Sequence, residues 1–140
     1  MIRDIGHPAF AAYDVEKTLE FYAQLGIGES FRLHKDDGSL MLIYLHVAGD
    51  RFIEVFPNGP EPDPERRQSF RHLCLLTGDL DGTVEALRSQ GVTIDREPTQ
   101  GLDHNMQAWI ADPDGNAIEL MQLSEESPQR EVTRSSTVQE

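Results

Sequence analysis

The feature that most constrains this chain is that it overlays itself when shifted by 65 residues. His7 falls on His72, Asp14 on Asp79, Thr18 on Thr83, Glu20 on Glu85, Gly26 on Gly91, Ile53 on Ile118 and Glu54 on Glu119. A chain of 140 residues duplicated at this period builds two copies of one small unit. Each copy carries a histidine followed 47 residues later by a glutamate.

The local patterns agree with two such copies. In the first, Ile2 to Ala12 reads as a strand, and Asp14 is placed to cap a helix from about Val15 to Leu25 that Gly26 closes. Val15, Leu19 and Tyr22 recur at helical spacing and give that helix an apolar stripe. Strands are predicted over Glu29 to Lys35, Leu40 to Ala48 and Arg51 to Phe56, with turn chemistry at Asp36-Asp37-Gly38-Ser39 and Gly49-Asp50. The second copy repeats the order. Phe70 to Thr77 is a strand, Asp79 caps a helix from about Leu80 to Gln90, and Gly91 ends it. Val92 to Glu97, Asn105 to Ala111 and Ala117 to Leu123 follow as strands, the last preceded by the turn Asp112-Pro113-Asp114-Gly115-Asn116. Each half is therefore βαβββ, and the fold class is α+β.

Residues 57 to 69 join the halves, and their four prolines favour an extended connection. Residues 124 to 140 read as a mobile polar tail. The single cysteine, Cys74, excludes a disulfide within the chain and a cysteine-based zinc site. A formal net charge of −13, with only Arg66-Arg67 as adjacent cations, turns the expectation away from nucleic acid and membranes. No long apolar run appears and Met1-Ile2-Arg3-Asp4 leads straight into polar sequence, so the expected location is the cytoplasm.

Strand alternation places Phe52, Glu54 and Phe56 on one face and Ile53 and Val55 on the other. Ala117, Glu119 and Met121 likewise share a face opposite Ile118 and Leu120. The aliphatic faces pack on the helices, which leaves both glutamates in surroundings where a bare carboxylate is costly. His7 and His72 fall in the first strands, and two related halves packed about a pseudo-twofold axis bring two histidines and two glutamates together. Imidazole nitrogen and carboxylate oxygen in a two-plus-two set suit Zn, Ni, Co, Mn or Fe as a divalent ion, one per site. The alternative is a set of satisfied strand residues without a metal. Cys74 and Phe21, Tyr22, Met106 and Trp109 read as packing or cavity-wall residues, and His34 and His46 as partly exposed strand residues.

The paired βαβββ units, Ile5-Gly6-His7-Pro8, Phe52-Ile53-Glu54-Val55-Phe56, Arg71-His72-Leu73 and the Asp-Pro-Asp-Gly turn running into Glu119-Leu120 resemble the vicinal oxygen chelate superfamily, and within it glyoxalase I. The resemblance covers about residues 1 to 123: module 1 over 1 to 56, the linker over 57 to 69 and module 2 over 70 to 123. It implies a curved mixed sheet around a metal cleft, with helices outside, and a homodimer whose sites draw on both chains. It carries His7, Glu54, His72 and Glu119 over as metal ligands. A small-molecule substrate with vicinal oxygens then chelates the ion, which stabilises the enediolate left when a carbon-bound proton departs. Glu54 or Glu119 removes that proton and returns it, giving an isomerase or lyase, or an epimerase if the proton returns to the opposite face.

The sequence departs from that family at the glutathione-binding positions. Asn58, four residues after Glu54, matches an asparagine that contacts glutathione, but Ala11 stands where a basic residue is usual, and Glu97 to Ala111 contains no Lys or Arg. A glutathione hemithioacetal is therefore not the expected substrate. Asp103 and His104 point instead to a neutral, hydroxyl-bearing one, with Asn58 and His104 as its contacts. An extradiol dioxygenase, which generally leaves the Glu54 position without a ligand, and a drug-sequestering protein of the bleomycin-resistance kind are the alternatives.

Overall fold

A computed structural model describes residues 5–67 and 70–137. The chain divides into two compact units, one of Met1–Arg66 with Asp112–Gly115, the other of Arg67–Ala111 with Asn116–Glu140.

In the first unit β1 (Ala9–Ala11) is followed by α1 (Val15–Gln24), β2 (Glu29–His34), β3 (Leu40–Ala48) and β4 (Arg51–Phe56). The sheet order is β1-β4-β3-β2, with β1 and β4 parallel and the other neighbours antiparallel. The second unit repeats this: β5 (Leu73–Leu76), α2 (Leu80–Ser89), β6 (Arg96–Gln100), β7 (Met106–Ala111) and β8 (Ala117–Gln122), in the order β5-β8-β7-β6. The fold is α+β, two βαβββ modules each with its own mixed four-stranded sheet. Asp14 and Asp79 cap their helices as expected, accepting the backbone N–H groups of Lys17 and Gly82. Gly26 and Gly91, at φ 80° and 85°, supply the left-handed residue after each helix.

The helix-facing side of each sheet is the core. Ile43, Leu45, Ile53 and Val55 are buried in the first unit, and Ala108, Ile110, Ile118 and Leu120 in the second. On α1 the buried residues are Thr18, Phe21 and Tyr22, whereas Val15 and Leu19 are half-buried, so the stripe is rotated from the one the spacing suggests. The reason is the turn Asp112–Gly115. Asp112 accepts the buried Tyr22 hydroxyl at 3.1 Å, and Asp114 accepts the Thr18 hydroxyl at 3.2 Å and the Tyr13 N–H at 2.9 Å. Polar groups on this face are thereby satisfied without solvent. Burial, reinforced by Asp112, holds the Tyr22 phenol far above its ordinary pKa, so it remains a donor.

Three boundaries differ from expectation. The first strand begins at Ala9, not Ile2; Ile2 to Asp4 lie outside the described residues. Pro8 has no N–H to give the ladder, yet the carbonyls of Gly6 and Pro8 accept the N–H groups of Phe52 and Glu54, both at 3.0 Å, which keeps His7 alongside β4. His72 likewise stands just ahead of β5. Strand β6 starts at Arg96 because Val92 turns inward and is buried after the helix, and Pro98 fits within β6 because that strand is a sheet edge.

The linker folds back at its start: Gly59 donates its N–H to Ala12 at 2.8 Å, and a Cβ there would lie 2.1 Å from the Ala11 carbonyl oxygen, so only glycine fits. Gln68 and Ser69 lie outside the described residues.

The largest difference is at the C-terminus, where a mobile tail is expected and the chain instead forms α3 (Pro128–Thr137). Ser127, buried, accepts the Arg130 N–H and precedes Pro128 at the first helical position. Asn105, fully buried, accepts the Ser124 N–H at 2.8 Å and donates to Asp103 and Gln129 at 2.9 and 3.1 Å. Residues 138–140 are outside the described range.

Two stability outcomes follow from these networks. Asn105→Ala removes three hydrogen bonds made by a fully buried side chain and should lower unfolding free energy by about 2 kcal/mol in urea titrations, because each such bond contributes about 0.5–1.5 kcal/mol. Tyr22→Phe, which removes the donor to Asp112, should cost about 1–3 kcal/mol in the same measurement.

Candidate metal centre

In the first unit, the parallel register sets Ala9 beside Glu54, and the antiparallel registers set Tyr44 on its other side and Phe31 beyond that. Ala9, Glu54, Tyr44 and Phe31 thus form one row across the face opposite the helix. The Glu54 residue is only 8% exposed. Its Oε2 lies 2.9 Å from His7 Nε2, and the imidazole meets the Tyr44 ring edge-on at a centroid distance of 6.1 Å. The Tyr44 hydroxyl donates to Glu54, and that bond raises the phenol pKa.

The second unit builds the same row from Cys74, Glu119, Trp109 and Arg96, each 65 residues after its counterpart. Glu119 is 7% exposed, and its Oε2 lies 3.1 Å from His72 Nε2. Trp109 meets the His72 ring edge-on at 4.9 Å. Cys74 is exposed as a residue, not the interior hydrophobe expected, but its thiol faces Glu119. Partial burial first, then the Glu119 charge and hydrogen bond, push its pKa up to about 11. It therefore stays a thiol at neutral pH and is a poor nucleophile.

Each pair fits half of a divalent-ion site. Two donors about 2.1 Å from one ion and about 90° apart are themselves about 3.0 Å apart, the spacing found here, and a neutral imidazole with an ionised carboxylate is a suitable N/O pair. With no ion, the same separation suits Nε2–H donating to the carboxylate, so a proton and a metal compete for one position. Among the described residues, no three His, Cys, Asp or Glu side chains are grouped to hold an ion. His7 with Glu54 and His72 with Glu119 are therefore brought together as pairs, and the set of four is not assembled among those residues.

The expected substrate contacts stand apart from these rows. Asn58, just after β4, and His104, in the β6–β7 turn, are exposed and adopt left-handed backbone conformations at φ 64° and 66°. His46 bonds the Gly49 carbonyl at 2.9 Å, and both it and His34 are exposed, as their patterns suggest. Sequence reasoning missed Tyr44 and took Trp109 only as wall. The signal was present, because the 65-residue shift that pairs the ligands also pairs these two aromatics.

Comparison with known proteins agrees with this architecture. The model of the Glyoxalase/Bleomycin resistance protein/Dioxygenase superfamily matches residues 4–120. A probable lactoylglutathione lyase of Vibrio cholerae is 29% identical over 125 residues, covering 83% of this chain and 88% of that protein. Glyoxalase I of Saccharomyces cerevisiae is 35% identical over 149 residues, covering 87% of this chain and 45% of the yeast protein. Among solved structures, a bleomycin resistance determinant encoded on the transposon Tn5 is similar with a TM-score of 0.66 and 27% identity, covering 86% of this chain and 98% of that one. Matched over most of its length and built from the same duplicated units, the chain belongs to the glyoxalase/bleomycin resistance protein/dioxygenase superfamily.

Proposed function

We propose that this protein is a divalent-metal-dependent isomerase or lyase of the glyoxalase I type, acting on a small molecule with vicinal oxygens. The observation that carries this reading is the duplicated pairing of an exposed histidine with a buried glutamate, with 2.9 and 3.1 Å between imidazole and carboxylate at matched register positions. His7 and Glu54 of one chain, with His72 and Glu119 of a second copy, would hold the ion in a homodimer. Two charged carboxylates held away from water fit a site completed by a cation.

A bound ion would supply Lewis-acid stabilisation of the negative charge that develops on the substrate oxygens. The chain's own residues do the rest. Glu54 or Glu119 takes the proton from the carbon next to the carbonyl and returns it to that carbon or its neighbour. The rings of Tyr44 and Trp109 stand edge-on against their histidines and help to orient the imidazoles. Asn58 and His104 would contact substrate hydroxyls.

Relatives are called lactoylglutathione lyase. Glutathione hemithioacetal is nevertheless not our proposed substrate, because Ala11 and the cation-free stretch Glu97 to Ala111 leave its carboxylates without partners. The likeness to a bleomycin resistance determinant favours a drug-sequestering protein as the second reading. The four retained donors oppose it.

Protein purified without added ions should contain one divalent ion per chain by elemental analysis, and stripping it with a chelator should abolish turnover until a divalent ion is restored. In deuterated water, the loaded protein should exchange the carbon-bound proton of at least one member of a panel of 2-oxoaldehyde hemithioacetals and α-hydroxy ketones, followed by NMR; exchange with none would sink proton abstraction. Glu54→Gln and Glu119→Gln should each reduce turnover by at least about 100-fold, the scale of a lost general base. Full activity in both variants would remove their assigned roles.

A further inference from the structure

The open face of the first unit carries more aromatic surface than its His–Glu pair requires. Phe31 stacks on Tyr44 with centroids 4.5 Å apart and planes 18° from parallel, and remains 45% exposed. Tyr44 meets Phe52 edge-on at 5.7 Å, and Phe52 continues to His46 at 5.0 Å. On the neighbouring row of the same edge strand, Leu33 is also exposed. Tyr44 joins this surface to the pair, because the ring that stacks on Phe31 also meets His7 and bonds Glu54 through its hydroxyl.

The fold does not require these rings, as the second unit demonstrates. At the positions equivalent to Phe31, His46 and Phe52 it places Arg96, Ala111 and Ala117. Only the aromatic next to the glutamate is kept, as Trp109. Exposing large apolar side chains to water is unfavourable, and a contiguous patch of them marks something that covers it.

We propose that this face binds an aryl or other flat apolar substituent of a substrate whose vicinal oxygens engage the ion that His7 and Glu54 would hold. The inference rests on the metal-dependent reading above and assigns a substrate class to it, with Phe31 and Phe52 as specificity-determining residues. The ring contacts support a flat apolar occupant: Phe31, Tyr44 and Phe52 meet one another in a continuous series, with His7, His46 and Glu54 beside them. Size supports a small molecule: a few partly exposed side chains fall well short of the roughly 20–30 residues that a stable protein interface uses on each side.

The test compares benzohydroxamate with acetohydroxamate, two chelators that present the same vicinal oxygens and differ in the phenyl group, by calorimetric titration of the metal-loaded protein. Benzohydroxamate should bind at least about tenfold more tightly, the scale of one good aromatic contact. Phe31→Ser, at an exposed edge position that the core does not need, should remove most of that preference and leave acetohydroxamate affinity within about twofold; Phe52→Ala should act in the same direction. Equal binding of the two chelators to the native protein overturns this inference while leaving the metal reading intact. Binding of neither overturns both. A Phe31→Ser variant that dissociates the oligomer in sedimentation but keeps the phenyl preference makes the face a contact between copies, which also overturns it.

Discussion

A carboxylate taken out of water on the open side of a sheet has to find a partner, and in each unit that partner is an imidazole delivered by the segment just ahead of the parallel strand. Stripping a carboxylate of hydration costs several kcal/mol, so Glu54 and Glu119 cannot be incidental where they lie. The parallel pairings β1–β4 and β5–β8 are what make the meeting possible. They set Ala9 and Cys74 directly beside the glutamates, so that a residue two positions earlier reaches over the carboxylate. In the first unit the Gly6 and Pro8 carbonyls fasten that segment to β4. Remove the parallel register and neither histidine has a route to its acid.

The glyoxalase-type turn Asp112–Gly115 has a different task from the one its prominence in the sequence suggests. Its two carboxylates are taken up by Tyr22, Thr18 and the Tyr13 backbone, and its tight geometry is closed by Gly115 N–H donating to the Asp112 carbonyl. A buried tyrosine hydroxyl and a buried threonine need acceptors, and this turn provides them. The motif is therefore diagnostic of how the chain folds, whereas the proposed chemistry rests on His–Glu pairs whose spacing of 47 residues has no local signature.

That contrast explains what could be read from residues alone. Helices α1 and α2, with caps Asp14 and Asp79 and terminators Gly26 and Gly91, are governed by neighbours a few positions away, and β3 and β4 have the predicted ends because their turns do. The four proposed ligands emerged because duplication doubled a weak signal. What escaped depends on distant parts of the chain. The His7 position outside the strand comes from carbonyls reaching β4, and the rotation of the α1 stripe from a turn about ninety residues on. Helix α3 had a local cue in Ser127-Pro128, but its polar composition masked it, and its attachment runs through the buried amide of Asn105. Cys74 looked like core because strand alternation assigns a face without saying whether anything covers it.

Duplication also separates what the two units must share from what they are free to change. Both keep the glutamate, the histidine and an aromatic edge against the imidazole, which together fix where the two donor atoms point. Beyond that shell they diverge. Glu54 receives a phenolic O–H from the neighbouring strand, while Glu119 faces a thiol, a much weaker donor, from the parallel strand. The row then ends in exposed Phe31 on one side and in Arg96 on the other. A hydroxyl fixed on a carboxylate restrains it and stabilises its charge more than a thiol does, so the two glutamates are chemically unequal although their imidazole geometry is nearly the same. If the two pairs share one ion, as proposed, the donors must match, because they answer to one coordination chemistry. The side chains one row further out answer only to whatever lies against them, and it is there that the two halves have become different surfaces.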